Sequence, residues 1–229
     1  MISVRNNLET IRSRIANACA TCGRNPADVR LVAVSKVKSA ELIDAAFEAG
    51  QQIFGESYVQ EFRDKVDIVK HPVEWHFIGA LQSNKVKYLR GRVAMIHSVD
   101  RLSLAREINR QWEKINATVP VLIQVNVGDE NSKAGCATDK LGNLVRQIAE
   151  LPHLRILGLM CLPPYFADPE QVRPYFRQLR ELANGIDAQQ IPGVMMQELS
   201  MGMSGDFEVA IEEGATLVRI GTAIFGERN

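Results

Sequence analysis

The chain has 229 residues, 46% of them hydrophobic and 24% charged, which is the profile of an ordinary water-soluble protein long enough to bury its own core. Lys+Arg and Asp+Glu both number 27, so the net charge is zero, which speaks against nucleic acid as a partner because such binders carry a basic excess. No apolar run reaches the roughly eighteen residues of a membrane span, and the polar N-terminus has no signal-peptide core. Four cysteines give no disulfide framework and seven methionines suit a reducing interior, so the expected compartment is cytoplasmic.

In chain order, Leu8, Ile11, Ile15, Ala18, Cys19 and Cys22 recur at helical spacing and predict an N-terminal amphipathic helix stopped by Gly23 and the Asn25-Pro26 turn. Residues 31–36 are apolar on both alternating faces up to Lys36, as in a parallel strand covered on both sides. Ser39 can cap the following helix, and Gly50 closes it. Further strand-like runs fall at 53–56, 75–79, 94–99, 119–127, 156–162, 198–203 and 216–220, with helical periodicity between most of them, as at 102–112, 141–151 and 172–182. Eight strands alternating with helices imply a parallel sheet. In about this length they predict an α/β fold, a single (β/α)8 barrel of the TIM type with an extra N-terminal helix, occupying 1–229 as one domain. The competing doubly wound sheet announces a glycine-rich loop after its first strand, and Val34-Ser35-Lys36-Val37-Lys38 stands there instead.

In such a barrel the chemistry sits at the C-terminal ends of the strands. Lys36 ends an apolar strand in phase with Val32 and Val34. Partial desolvation there favours the neutral amine, suited to a Schiff base with an aldehyde. The alternative is a lysine that reaches solvent at the barrel mouth or pairs with a carboxylate. Strand seven runs into Ser200-Met201-Gly202-Met203-Ser204-Gly205 and then a helical stretch at 206–213, and strand eight runs into Arg219-Ile220-Gly221-Thr222. Hydroxyls, glycines and helix starts after the seventh and eighth strands are where barrel enzymes seat phosphate. A Schiff-base lysine facing a phosphate cradle points to pyridoxal 5′-phosphate. Arg219, aimed at the ring nitrogen, would oppose its protonation and make the ring a poor electron sink. The alternative for Arg219 is a salt bridge with Glu198 or Asp206. Cys19-x-x-Cys22 has redox spacing but lies within a helix, no zinc spacing occurs, His76 reads as a satisfied core histidine, and Lys85, Lys87 and Arg90 read as a solvated basic helix face.

Several longer segments resemble the pyridoxal phosphate homeostasis proteins. They are Val32-Ala33-Val34-Ser35-Lys36, Phe54-Gly55-Glu56-Ser57-Tyr58, Trp75-His76-Phe77-Ile78-Gly79, Gln124-Val125-Asn126-Val127 with Glu130 and Lys133-Ala134-Gly135, Leu199-Ser200-Met201-Gly202-Met203-Ser204 and Val218-Arg219-Ile220-Gly221-Thr222. The resemblance implies the barrel of the alanine racemase N-terminal domain and an internal aldimine on Lys36. It places Ser200, Ser204, Gly221 and Thr222 at the phosphate, Arg219 near the ring nitrogen and Asn126 among the cofactor-binding residues. Ser57 stands where the family commonly has Asn.

Two functions compete. One is a non-catalytic carrier that holds pyridoxal phosphate and exchanges it with cofactor-dependent apo-enzymes; the other is an amino-acid racemase or decarboxylase. The racemase draws an opposing base from a second domain, and Lys38, Lys133 or Tyr58 would have to replace it before Asn229. The carrier is therefore expected, with no catalytic residue and no metal, as a monomer. A cofactor-free aldolase acting through Lys36 on a sugar phosphate is a third reading, separated by the absence of yellow colour.

Overall fold

Eight parallel strands close on themselves in sequence order, β1 through β8, with β1 paired to both β2 and β8. The computed structural model describes residues 3–128 and 134–227. The strands are β1 Arg30–Val34, β2 Ile53–Glu56, β3 Glu74–Phe77, β4 Met95–Val99, β5 Val119–Val125, β6 Leu154–Cys161, β7 Val194–Ser200 and β8 Leu217–Ile220. The helices are α1 Val4–Thr21, α2 Ala40–Glu48, α3 Val59–Val66, α4 Leu102–Glu113, α5 Leu141–Ala149, α6 Arg173–Asp187, α7 Phe207–Glu212 and α8 Thr222–Phe225. This is the expected (β/α)8 barrel with its additional N-terminal helix.

The differences lie at the ends of elements. β1 stops at Val34, so Lys36 stands in the turn beyond the strand. β7 starts at Val194, four residues ahead of the expected 198, because Val194, Met195 and Met196 are only half-buried and their pattern is not that of a covered strand. After β3 the crossover is a 3-10 segment, Ser83–Tyr88, in place of the basic helix face expected around Lys85 and Lys87. Lys85 and Lys87 instead gather with Arg63 around the Tyr88 ring.

Burial sorts the apolar side chains into two groups. Val32, Ile53, Met95, Leu122, Leu157, Met160 and Leu217, all on strands, fill the barrel interior. The larger group lies between strands and helices, with Phe54, Phe62, Phe77 and Phe176 fully buried. Each such side chain contributes about 1.5–3 kcal/mol relative to exposure. α1 is capped by Ser3, whose hydroxyl accepts from Asn6 N–H, and buries Leu8, Ile11, Ile15 and Cys19. It packs on α2, α7 and α8, and Asn7 donates to the Ile224 carbonyl at 2.8 Å, which ties the start of the chain to the last βα unit. Among the described residues no helix is long and apolar enough to cross a membrane.

Candidate functional site

A cavity of about 360 Å³ opens at the C-terminal ends of the strands. Lys36, from the turn after β1, lines it together with Arg219 of β8, Gly221 and Thr222 at the start of α8, and Gln124 of β5. Ser57, Ile78 and Gly79 line it at the ends of β2 and β3, and Tyr58, Leu162 and Met203 stand exposed around the rim. Gly79 is required there, because a Cβ would lie 2.0 Å from the Ser57 carbonyl oxygen.

The backbone on both sides of Lys36 is clamped. The Ser35 hydroxyl donates to Glu56 Oε1 at 2.7 Å, and the Ser35 carbonyl accepts from Lys65 Nζ at 2.8 Å. Lys65 Nζ also reaches Glu56 Oε1 at 2.8 Å and Glu61 Oε2 at 2.9 Å, while Val37 N–H donates to Glu61 Oε2 at 2.6 Å. Val37 has φ 61°, a conformation that a β-branched residue adopts only when its surroundings impose it. Glu56 is fully buried, and burial pushes its carboxyl above the usual range against the opposing pull of Lys65. Burial also works against the Glu61 carboxylate, but the hydrogen bonds from Val37 and Lys65 outweigh it and bring the carboxyl down.

Arg219 is 4% exposed. It donates through Nη1 to Ser200 Oγ at 2.5 Å and through Nη2 to the Cys161 carbonyl at 2.8 Å. The expected alternative, a salt bridge to Glu198 or Asp206, does not form. Glu198 pairs with Arg30 at 2.6 Å, and Asp206 accepts from Met203 N–H. Ser200 is the last residue of β7, fully buried, and its hydroxyl is engaged by Arg219 and His97; it is not among the residues lining the cavity. Ser204 lies half-buried in the turn before α7, one residue beyond Met203, and is not part of the lining. That turn is set by Gly202, at φ 89°, where a Cβ would fall 2.6 Å from the Ala210 Cβ. At α8 the first N–H groups, beginning with Thr222, have no intrahelical acceptor. Asn126 follows β5, half-buried, with its N–H bonded to the Cys136 carbonyl.

With this geometry in place, comparison with known proteins is informative. Residues 6–229 match the family model of the alanine racemase N-terminal domain. A pyridoxal phosphate homeostasis protein of Aquifex aeolicus is 50% identical over 222 residues, 96% of each chain, and that of Escherichia coli K12 is 42% identical over 233 residues, 100% of this chain and 98% of the other. The chain belongs to the pyridoxal phosphate homeostasis protein family. Among solved structures, PipY of Synechococcus elongatus with pyridoxal phosphate bound is similar at a TM-score of 0.81 and 35% identity, covering 93% of this chain and 100% of that one. Alanine racemase of Corynebacterium glutamicum, 14% identical with a TM-score of 0.65 over 96% of this chain and 61% of that one, shares the fold.

Beyond the family resemblance, whose segments include Glu56, the site residues Glu56, Lys65 and His97 show no spacing that announces their contacts. Glu56 and Lys65 are nine residues apart on a strand and a helix, and only the Glu61–Lys65 spacing of one helical turn hinted at the clamp. His97, fully buried, was equally silent. His76 is a satisfied core histidine, as expected, but its partners are His97 and Glu74. Cys19 and Cys22 sit on and at the end of α1 as free thiols, and Cys22 Sγ bonds back to the Ala18 carbonyl. Glu130 and Lys133 lie outside the described residues.

Proposed function

We propose that this protein is a single-domain, monomeric, cytoplasmic carrier that binds pyridoxal 5′-phosphate and exchanges it with apo-enzymes that need it, without turning over amino acids. The observation that carries this reading is one cavity lined by Lys36, Arg219, Gly221 and Thr222 together. The family relationship supports it: relatives are named for pyridoxal phosphate homeostasis, and PipY holds the cofactor. The cavity residues fit the group, with a lysine amine, a buried guanidinium and the open N–H groups of a helix start in one enclosure. When bound, the cofactor supplies an aldehyde that bonds covalently with an amine.

In this assignment Lys36 provides that amine. Its turn is held by Glu56, Lys65 and Glu61, so the ammonium is presented to the cavity at a fixed height. Gly221, Thr222 and Ser204 receive the phosphate, and Asn126 contributes at the mouth. Arg219 presents a permanent positive charge to the ring nitrogen. A cation there opposes protonation of that nitrogen and makes the ring a poor electron sink. Ser200 acts through Arg219 rather than on the phosphate. A proton-transferring enzyme would also need a second base across the ring. The Lys38 ammonium is committed to the Glu227 carbonyl at 2.7 Å, and Tyr58 is 54% exposed.

Incubation with pyridoxal phosphate followed by borohydride should give a yellow protein and then one stable label, on Lys36. Lys36→Ala should abolish it. A label in that variant on Lys38 or Lys133 overturns the assignment, and a colourless protein overturns cofactor binding. Exchange of amino-acid α-protons in heavy water, with saturated protein, should stay at background. Rapid, stereospecific exchange that depends on Lys36 would make the protein an enzyme.

A further inference from the structure

Beneath the cavity runs a line of buried polar groups that cofactor attachment at Lys36 does not use. Arg219 Nη1 is 2.5 Å from Ser200 Oγ, which is 2.9 Å from His97 Nδ1. His97 Nε2 is 2.9 Å from His76 Nδ1, and His76 Nε2 is 2.9 Å from Glu74 Oε1. Ser200 and His97 are fully buried and His76 is 1% exposed, whereas the Glu74 side chain is 43% exposed at the first residue of β3, the end of the barrel opposite the cavity. The line therefore crosses the barrel from β8 through β7 and β4 to β3, past the apolar plug of Met95 and Leu217.

The carboxylate end sets the direction. A carboxylate only accepts, so His76 gives its Nε2 proton to Glu74 and, in a ring holding one proton, keeps Nδ1 bare. That nitrogen accepts from His97 Nε2–H, which leaves His97 Nδ1 bare to accept from the Ser200 hydroxyl. Ser200 Oγ in turn accepts from Arg219, since a guanidinium only donates. All four bonds point the same way, from Arg219 to Glu74. A proton added to His76 would set two N–H groups face to face at the His76–His97 contact. The other charges facing the imidazoles are Arg219 above, Glu74 below, and Arg30 of β1, itself paired with Glu198 of β7. Burial first, with the positive charges of Arg219 and Arg30, holds His97 well below its ordinary pKa, consistent with a neutral ring.

We infer that Glu74, His76, His97 and Ser200 form a one-directional hydrogen-bond chain that orients Arg219, so that a carboxylate on the far face of the barrel is a positioning residue for the cavity. The spectral consequence rests on the proposed placement of Arg219 at the cofactor's ring nitrogen; the chain itself does not. Disorienting the guanidinium changes the positive potential at that nitrogen and with it the protonation of the bound chromophore. A networked group of this kind specifies one arrangement only when each member is satisfied.

The test has two arms. In cofactor-free protein, imidazole ¹⁵N NMR at pH 7 should find both His76 and His97 in the Nε2–H form. Glu74→Gln, whose amide oxygen still accepts, should keep that pattern, and Glu74→Ala should lose it at His76. An Nδ1–H or doubly protonated ring in the wild-type protein overturns the chain. In cofactor-loaded protein, Glu74→Ala and Ser200→Ala should each move the pH midpoint of the visible band by about half a unit or more, with Glu74→Gln close to wild type. Unmoved midpoints in both alanine variants overturn the positioning role, and a purely structural role would lower stability without moving the midpoint. A wild-type protein that develops no visible band overturns cofactor binding instead, and the NMR arm still decides the chain.

Discussion

Replacing Lys65 by Met removes one ammonium from the clamp on the Lys36 turn while keeping most of the side chain's volume. Lys65 Nζ serves three acceptors: the Glu56 carboxylate, the Glu61 carboxylate and the Ser35 carbonyl. Glu56 is fully buried and its Oε2 has no hydrogen-bond partner, so after the substitution only the Ser35 hydroxyl remains to stabilise its charge. Removing one partner of a buried pair costs about 3–5 kcal/mol, because the survivor stays desolvated. At about 2–4 °C per kcal/mol for a chain of this size, the melting temperature should fall by about 6–20 °C. The sign of the pH dependence follows from Glu56. Burial already raises its pKa, and losing Lys65 raises it further. The folded variant then takes up a proton more readily than the unfolded chain, so its deficit is largest at neutral pH and shrinks as pH falls. Urea unfolding of Lys65→Met and of Glu56→Gln/Lys65→Met at pH 5 and pH 8 checks both points. The double variant should recover much of the loss because no buried charge remains. A deficit under about 1 kcal/mol, or the same deficit at both pH values, would refute the account of the clamp.

Thr222→Val should weaken binding of pyridoxal phosphate by about 1.5–3 kcal/mol, through loss of a bond to a charged group, and leave pyridoxal affinity nearly unchanged; equal losses for both, by fluorescence titration, would remove Thr222 from the phosphate. Glu213 is buried, which raises its pKa, but hydrogen bonds from Arg177 and Arg173 and the charge of Arg180 outweigh this and bring it below the ordinary value of 4.5. Its contribution to stability is complete above that pH and is lost as pH falls through the depressed value, so Glu213→Gln should flatten thermal stability against pH below about 4.5. Cys161 is fully buried and burial pushes its thiol up to about 12, so at pH 8 it should resist iodoacetamide until the protein is unfolded; labelling at the rate of an exposed thiol would contradict its placement.

The barrel was legible because most strands are short apolar runs covered on both sides and most crossovers have helical spacing, two local signals that do not depend on tertiary context. Lys36 was legible for a related reason: two residues beyond Val34 and in phase with Val32 and Val34, a charged residue ends the run where the chain leaves the sheet. Strand ends were not, since β7 is only half-covered at Val194–Met196 and the apolar pattern there does not belong to a buried strand. His76 and His97 were illegible as a pair because closing a barrel joins residues of neighbouring strands that share no sequence spacing. The available signal was phase. His97 shares a face with Met95, and Arg219 with Leu217, so both point where inward apolar neighbours point.

Arg219 also explains why cavity and barrel closure are one problem in this fold. β7 and β8 share a short register, Ser200 beside Leu217, and side chains reinforce the backbone bonds that cross it. Arg219 of β8 bonds Ser200 of β7 and the Cys161 carbonyl of β6, so a single guanidinium joins three consecutive strands at the cavity floor. Lower in the same seam, the Thr216 hydroxyl accepts from Leu199 N–H and donates to Glu198, which in turn holds Arg30 of β1. Arg219 thus takes its orientation from bonds that join these strands. Replacing it would also weaken the seam, whereas changes at Thr222 or Lys36, which lie beyond the strands, leave closure intact. The barrel can therefore vary its loops freely around the cavity while the charge at its floor stays fixed by the architecture.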